Sequence, residues 1–254
     1  MMWMNIWTDN VSGGQKMNGS KDLKTIIYFK GVYDTLDLFT DHLIEAFESM
    51  GYGTFVYHTA NEEVSKKMLL RLLDESQEFA VVTFNNLGYN LSFEQSEAAE
   101  DEEKKPEEHN IWNYFHIPYI DILMDHPFHY EKPLCNMPET AVILCTDRNH
   151  EKYIRRFFKN IHQTDFLPHA GVELGHKHKP LNDRNIDVLY AGALPIYTVA
   201  KMIPDLHSIP EVDGEHMMQS VLGELVQHPE QTTEQVIEAY VKSVRGDISD
   251  ERLQ

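Results

Sequence analysis

The sequence predicts an α/β fold: a mostly parallel sheet with helices on both faces, followed by a short, mainly helical C-terminal segment. Three observations lead there. From Lys24 short apolar runs alternate with amphipathic stretches; two of those runs, Tyr119 to Tyr130 (YIDILMDHPFHY) and Thr140 to His150 (TAVILCTDRNH), stop abruptly at polar clusters; and beyond Tyr190 only a helical period remains. A strand, helix, strand, helix, strand order implies parallel pairing through crossovers.

The elements follow in chain order. Thr25–Lys30 (TIIYFK) is a strand, and Gly31-Val32-Tyr33 leads to Asp34, a residue type that caps helices. Leu36, Phe39, Leu43, Phe47 and Met50 then recur at spacings of three and four, which makes one apolar face, and Gly51 stops the helix. Gly53–His58 is the second strand. Asn61 is the next cap, with Val64, Met68 and Leu72 as the inward stripe of the second helix. Phe79–Phe84 (FAVVTF) is the third strand and ends at Asn85-Asn86-Leu87-Gly88.

This start has the order of a nucleotide-binding half-fold, but the loop after the first strand reads Lys30-Gly31-Val32-Tyr33-Asp34 and lacks GxGxxG, so no dinucleotide is assigned. Asn85 and Asn86 close a strand, where their amides either meet a ligand's hydroxyls or make an Asx turn. Glu94–Glu108 (EQSEAAEDEEKKPEE) has almost no apolar content and reads as a solvated acidic loop. Ile111–Phe115 returns to the core with Trp112 and Phe115, and Pro118 opens the strand of the central stretch. Asn149–Asn160 is a helix with Tyr153, Ile154, Phe157 and Phe158 on its apolar face, and Asp165–Pro168 is a short strand ending at His169-Ala170-Gly171.

The polar linker Leu174–Asn185, with His176 and His178, marks a domain boundary before a last apolar run, Ile186–Tyr190. Residues 1–22 read as a loosely held tail, in which Trp3, Ile6 and Trp7 could dock on a surface; residues 23–180 form the first domain and 181–254 the start of a second. Met218, Val221, Leu222 and Leu225 make one late helical stripe, and Ile237, Tyr240, Val241 and Val244 another. Thr232 with Gln235 forms a capping box for the last helix.

Composition narrows the function classes. With 254 residues at 42% hydrophobic the chain can bury a full core. Forty-one acidic against 22 basic residues give a formal net charge of -19, which disfavours nucleic acid and anionic membranes. No apolar run approaches the ~18 residues of a membrane span. Cys135 and Cys145 fit a reducing, cytoplasmic compartment.

In open α/β sheets ligands bind beyond the carboxyl ends of the strands, so the polar clusters ending the two central runs are the expected site. Asp125 and His126, which close a strand beside the stiff Pro127, are the first candidates for a proton acceptor; the alternative is that Asp125 caps the next turn and His126 is a core histidine. His129, Asp147, His150 and His169 lie on the same edge and complete the candidate substrate contacts with Asn85 and Asn86. Arg148 and Arg155 could meet a phosphate or simply be solvated. His126 with His129, or His176 with His178, could supply imidazoles to a metal, yet there is no HExxH and no CxxC, so a metal-dependent hydrolase is only an alternative.

The succession of DHP with a nearby histidine (Asp125, His126, Pro127, His129), ILCTDRNHEKYIRRFF (Ile143–Phe158), DFLPHAG (Asp165–Gly171) and RNIDVLYAGAL (Arg184–Leu194) resembles the N-terminal part of bacterial GT-B-type glycosyltransferases related to the spore-maturation glycosyltransferases. The resemblance runs from about Thr25 to the end. It implies a Rossmann-like domain facing the acceptor and a second domain holding a nucleotide-sugar donor, with no bound metal or other cofactor. The acceptor would be a glycan, a peptide or a lipid-linked group, and Asp125, then His126, would take its proton. From Asp187 only 68 residues remain, mostly helical in pattern, so the donor-binding half is expected to be largely missing and sugar transfer by this chain alone poor. A non-catalytic glycan- or protein-binding module is the alternative from another class, and pairing of the helical segment between chains, giving a homo-oligomer, stays open beside packing in cis.

Overall fold

A computed structural model describes residues 24–74, 78–95, 107–171, 179–186, 188, 213–246 and 249. The expectations for the tail at 1–22, for 96–106 of the acidic insert, for His176 and His178, and for most of the Ile186–Tyr190 run lie outside the described residues. The chain divides into two compact units, one ending at Pro168 and the other beginning at His169.

The first unit is built on a six-stranded sheet of β1 (Lys24–Lys30), β2 (Gly53–His58), β3 (Glu78–Phe84), β6 (Tyr119–Leu123), β7 (Ala141–Cys145) and β8 (Gln163–Phe166). Its spatial order is β2-β1-β3-β6-β7-β8, and every pairing is parallel. Numbering only these strands along the chain gives 2-1-3-4-5-6. That is the flavodoxin-type order of doubly wound sheets, whose switch point opens between β1 and β3. The fold is therefore Rossmann-like in the broad sense, and the missing dinucleotide fingerprint accords with the order.

Strand period explains the two core layers. Ile27 and Phe29 of β1 face one layer with Val81, Tyr119, Leu123 and Ile143; α2 (Glu62–Leu73), α3 (Ile111–Tyr114), α4 (Glu131–Cys135) and α5 (Arg148–Phe157) cover it through Leu69, Trp112, Leu134 and Ile154. Ile26 and Tyr28 face the other, where α1 (Asp34–Ser49) packs Leu36, Phe39, Leu43 and Phe47 against them. The apolar face read for α1 is the observed one except for Met50, which follows the helix and is exposed. Its entry differs from expectation. Asp34 lies inside the helix, Tyr33 holds the cap position without a side-chain bond, and Asp37 instead accepts the Gly31 N–H at 3.0 Å. Asn61, likewise, stands at the cap of α2 with no side-chain cap bond.

The α2 stripe is corrected by one residue. Val64 and Met68 are 59% and 54% exposed, while Ser65, Leu69 and Leu73 are buried. Both lines have i, i+4 spacing, so period cannot choose between them. Ser65 decides: its hydroxyl accepts from the His58 N–H and donates to the His58 carbonyl, each at 3.1 Å, which pins that line to the end of β2. The acidic insert is corrected at its ends, where β4 (Ser92–Gln95) and β5 (Glu107–Asn110) pair antiparallel as a small hairpin. Phe93 anchors it against Tyr114, ring centroids 4.9 Å apart.

The second unit contains α6 (Gly214–Gln227) and α7 (Thr233–Arg245), and among its described residues there is no strand. Met217, Val221 and Val236 form its core with Leu225, Ile237 and Tyr240. The expected capping box is present: Gln235 N–H donates to Thr232 Oγ1 and Thr232 N–H to Gln235 Oε1. Leu222 and Val244, expected inside, are exposed, while Met217 and Val236, outside the expected stripes, are buried with the expected Val221 and Val241. Among the described residues no helix is long and apolar enough to cross a membrane.

The corrected α2 register is directly measurable by denaturant unfolding. Leu69→Ala should lower stability by about 2–5 kcal/mol through lost burial and a cavity, whereas Met68→Ala should stay within ~0.5 kcal/mol of the parent. The reverse ranking would restore the Val64, Met68, Leu72 face.

Candidate functional site at the carboxyl edge

Among the segments that leave the carboxyl edge of the sheet, those after β1, β3, β6 and β7 carry the candidate residues. The most constrained is Asn85–Gly88. Asn85 and Asn86 have φ of 48° and 65°, the left-handed region that asparagine tolerates better than most residues, and Gly88 has φ 78°. Gly88 has a second reason to lack a side chain, since a Cβ there would overlap the Phe29 ring.

Buried donors and acceptors hold this turn. Asn86 N–H donates to Asp121 Oδ1 at 2.9 Å. The Leu87 carbonyl accepts from Tyr119 Oη at 2.8 Å and Thr83 Oγ1 at 3.1 Å, and the Gly88 carbonyl from Trp112 Nε1 at 2.7 Å. Asp121 is fully buried, and burial raises its carboxyl to about 7 against the lowering effect of the Asn86 N–H bond. Its other oxygen, and both side-chain polar atoms of Asn86, have no hydrogen-bond partner among the described residues.

The turn aims Asn85 across to the end of β6. Asn85 Oδ1 accepts the Met124 N–H at 2.8 Å and Nδ2 donates to Asp125 Oδ2 at 2.9 Å, two bonds that together fix which way the amide faces. Tyr130 Oη donates to the same Oδ2 at 2.9 Å. Burial first, and the Asp125 bond next, raise the Tyr130 phenol well above its ordinary range, so it remains a donor. The exposed Asp125 carboxylate is thus held through Oδ2, which leaves Oδ1, among the described residues, for a further donor.

The histidine pair joins the end of β6 to the end of β7. Pro127 starts a single 3-10 turn, Pro127–Tyr130, and His126 Nδ1 accepts the Phe128 N–H at 3.1 Å, so that lone pair belongs to the turn. The His126 ring meets His150 edge-on at 4.6 Å between centroids and Tyr153 at 5.1 Å. The ends of the two central strands therefore do converge. His129 is exposed and packs beside Phe128.

Other candidates have structural employment. Asp147 caps α5 by accepting the Asn149 N–H at 2.6 Å. Arg148 stacks over the Phe166 ring at 4.1 Å, and Arg155 pairs with Glu151 and donates to the Thr164 carbonyl. Asn86 is 4% exposed, which leaves its backbone rather than its amide as the working part. His169 is exposed and belongs to the second unit. Cys145 is buried beside Thr164 and its thiol is pushed up to about 12 by burial, which makes it inert.

Sequence reasoning missed Tyr130 and Asp121. Tyr130 ends the Tyr119–Tyr130 run but belongs to no motif. Asp121 had a signal, a carboxylate at an inward position of the apolar run YIDIL. Among the described residues no three His, Cys, Asp or Glu side chains converge to hold a metal ion. No family model, no curated protein and no solved structure matches the chain.

The site has a pH signature. Asp121 keeps its proton in the fold up to about 7, while in the unfolded chain a carboxyl of this kind loses it near about 4. Its contribution is fully present below about pH 4 and is lost as pH rises through 7, at roughly 1.4 kcal/mol for each tenfold fall in proton activity. Urea unfolding of the parent should therefore show stability falling by a few kcal/mol over this window relative to Asp121→Asn, which keeps the Oδ1 acceptor and cannot ionise. Parallel pH profiles for the two proteins would contradict the assignment.

Proposed function

We propose that the carboxyl edge is the acceptor side of a glycosyltransferase that moves a sugar from a nucleotide-sugar to a hydroxyl-bearing glycan, peptide or lipid-linked acceptor. The observation that carries this reading is Asp125: an exposed carboxylate at the end of β6, held through one oxygen by Asn85 and Tyr130, with its other oxygen left for a further donor. The order of motifs from Asp125 to Leu194 supports the same class.

In this mechanism the acceptor O–H donates to Asp125 Oδ1. As the acceptor oxygen bonds to the anomeric carbon of the donor sugar, its proton passes to the carboxylate, and the bond from that carbon to the nucleotide's phosphate oxygen breaks with its electron pair. Asn85 and Tyr130 hold the base in place, and His126, packed between His150 and Tyr153, stiffens the turn that carries it. The donor is held by a second domain in this reading. The helical character of the described residues after Pro168 favours a second reading, a non-catalytic module that binds glycans through the same edge.

The two readings separate by turnover. With a panel of nucleotide-sugars and mixed glycan acceptors, the transferase reading expects nucleotide release that Asp125→Asn reduces by about 100-fold or more, the usual contribution of a positioned base, with the unfolding midpoint unchanged. Full activity of Asp125→Asn would remove Asp125 from the chemistry. Glycan binding without any nucleotide release would select the binding module.

A further inference from the structure

We infer that Tyr33 is the platform on which the ring of an uncharged sugar stacks while its hydroxyls meet Asp125. The inference rests on the reading of the carboxyl edge as an acceptor site and narrows the acceptor to a neutral pyranose.

Tyr33 breaks a local rule without a structural gain. It occupies the cap position of a 16-residue helix, where Ser, Thr, Asp or Asn would stabilise by about 1 kcal/mol, and makes no cap bond there. Its side chain is not core either, being 62% exposed. Positions that violate local preference without compensation concentrate at functional sites.

Its location gives the function. Tyr33 ends the loop after β1, on one side of the switch point, and Asn85 follows the end of β3 on the other. Tyr33 also lies close enough to Tyr130 to help raise its phenol, and Tyr130 is bonded to Asp125. Val32, 41% exposed, extends the apolar surface beside it. An aromatic face on the same sheet edge as a carboxylate and an amide suits a ring that is apolar on its C–H face and rich in hydroxyls at its edge.

Charge excludes the other ring ligand that aromatics stack, a nucleotide. Asp34 and Asp37 follow Tyr33 in the first turn of α1, and the chain's formal charge is -19, so a phosphate stacked over this ring would be repelled. A neutral sugar meets no such penalty.

The test uses the whole chain, ¹⁵N-labelled, titrated with methyl glucoside, methyl galactoside, methyl N-acetylglucosaminide and their short β-linked oligomers. Weak sugar sites are read at up to roughly 100 mM ligand. At least one should shift the amides of Gly31–Asp34 and Asn85–Gly88. Tyr33→Ala should weaken that binding about tenfold and Tyr33→Phe should leave it unchanged. Asp125→Asn serves as the independent reporter of the edge. Unchanged binding by Tyr33→Ala, with binding weakened by Asp125→Asn, overturns the platform and keeps the edge. A panel that shifts no edge amide, or an edge that responds to a nucleoside diphosphate alone, overturns both.

Discussion

The left-handed turn at Asn85 and Asn86 is the constraint on which the rest of the site depends. Two consecutive non-glycine residues at positive φ cost free energy, and they persist only where surrounding structure over-determines them. Here Asp121, Tyr119, Thr83 and Trp112 do so, each from a buried position in or beneath the sheet. What results is one aimed amide, Asn85, which joins the end of β3 to the end of β6 and orients Asp125. Core packing, turn geometry and the carboxylate's orientation are thus physically continuous.

The parallel sheet supplies the reason these groups meet. Every strand of the six points its carboxyl end at the same edge, so the loops after β1, β3, β6 and β7 are neighbours although they lie far apart in sequence. The switch point between β1 and β3 is where doubly wound sheets bind their ligands. Tyr33 and Asn85 follow the two strands at that switch point, and Asp125 follows β6, the next strand over.

Much of this was legible from residues, and the parts that were not have physical reasons. Apolar runs such as TIIYFK and FAVVTF identify buried parallel strands because both faces are covered, and the abrupt polar stops of YIDILMDHP and AVILCTD mark the edge. The Thr232 and Gln235 pair reads as a cap because the motif is local. What failed was any choice between two equivalent periodicities. On α2 the Val64 line and the Leu69 line share the i, i+4 spacing, and only the Ser65 contact to His58 breaks the tie. Tyr130 was invisible as a site residue because its significance is a spatial relation to Asp125 that no spacing encodes. Asp147 illustrates the converse: a candidate carboxylate is occupied by a helix terminus.

Amide hydrogen exchange on the intact chain, with and without a neutral glycan mixture, tests the central claim most directly. Slowed exchange confined to Gly31–Asp34, Asn85–Gly88 and Asp125–Tyr130 is the expected result, since these segments form the proposed acceptor edge. Protection at the amino ends of the strands, with those three segments unchanged, would place the ligand elsewhere and contradict the account.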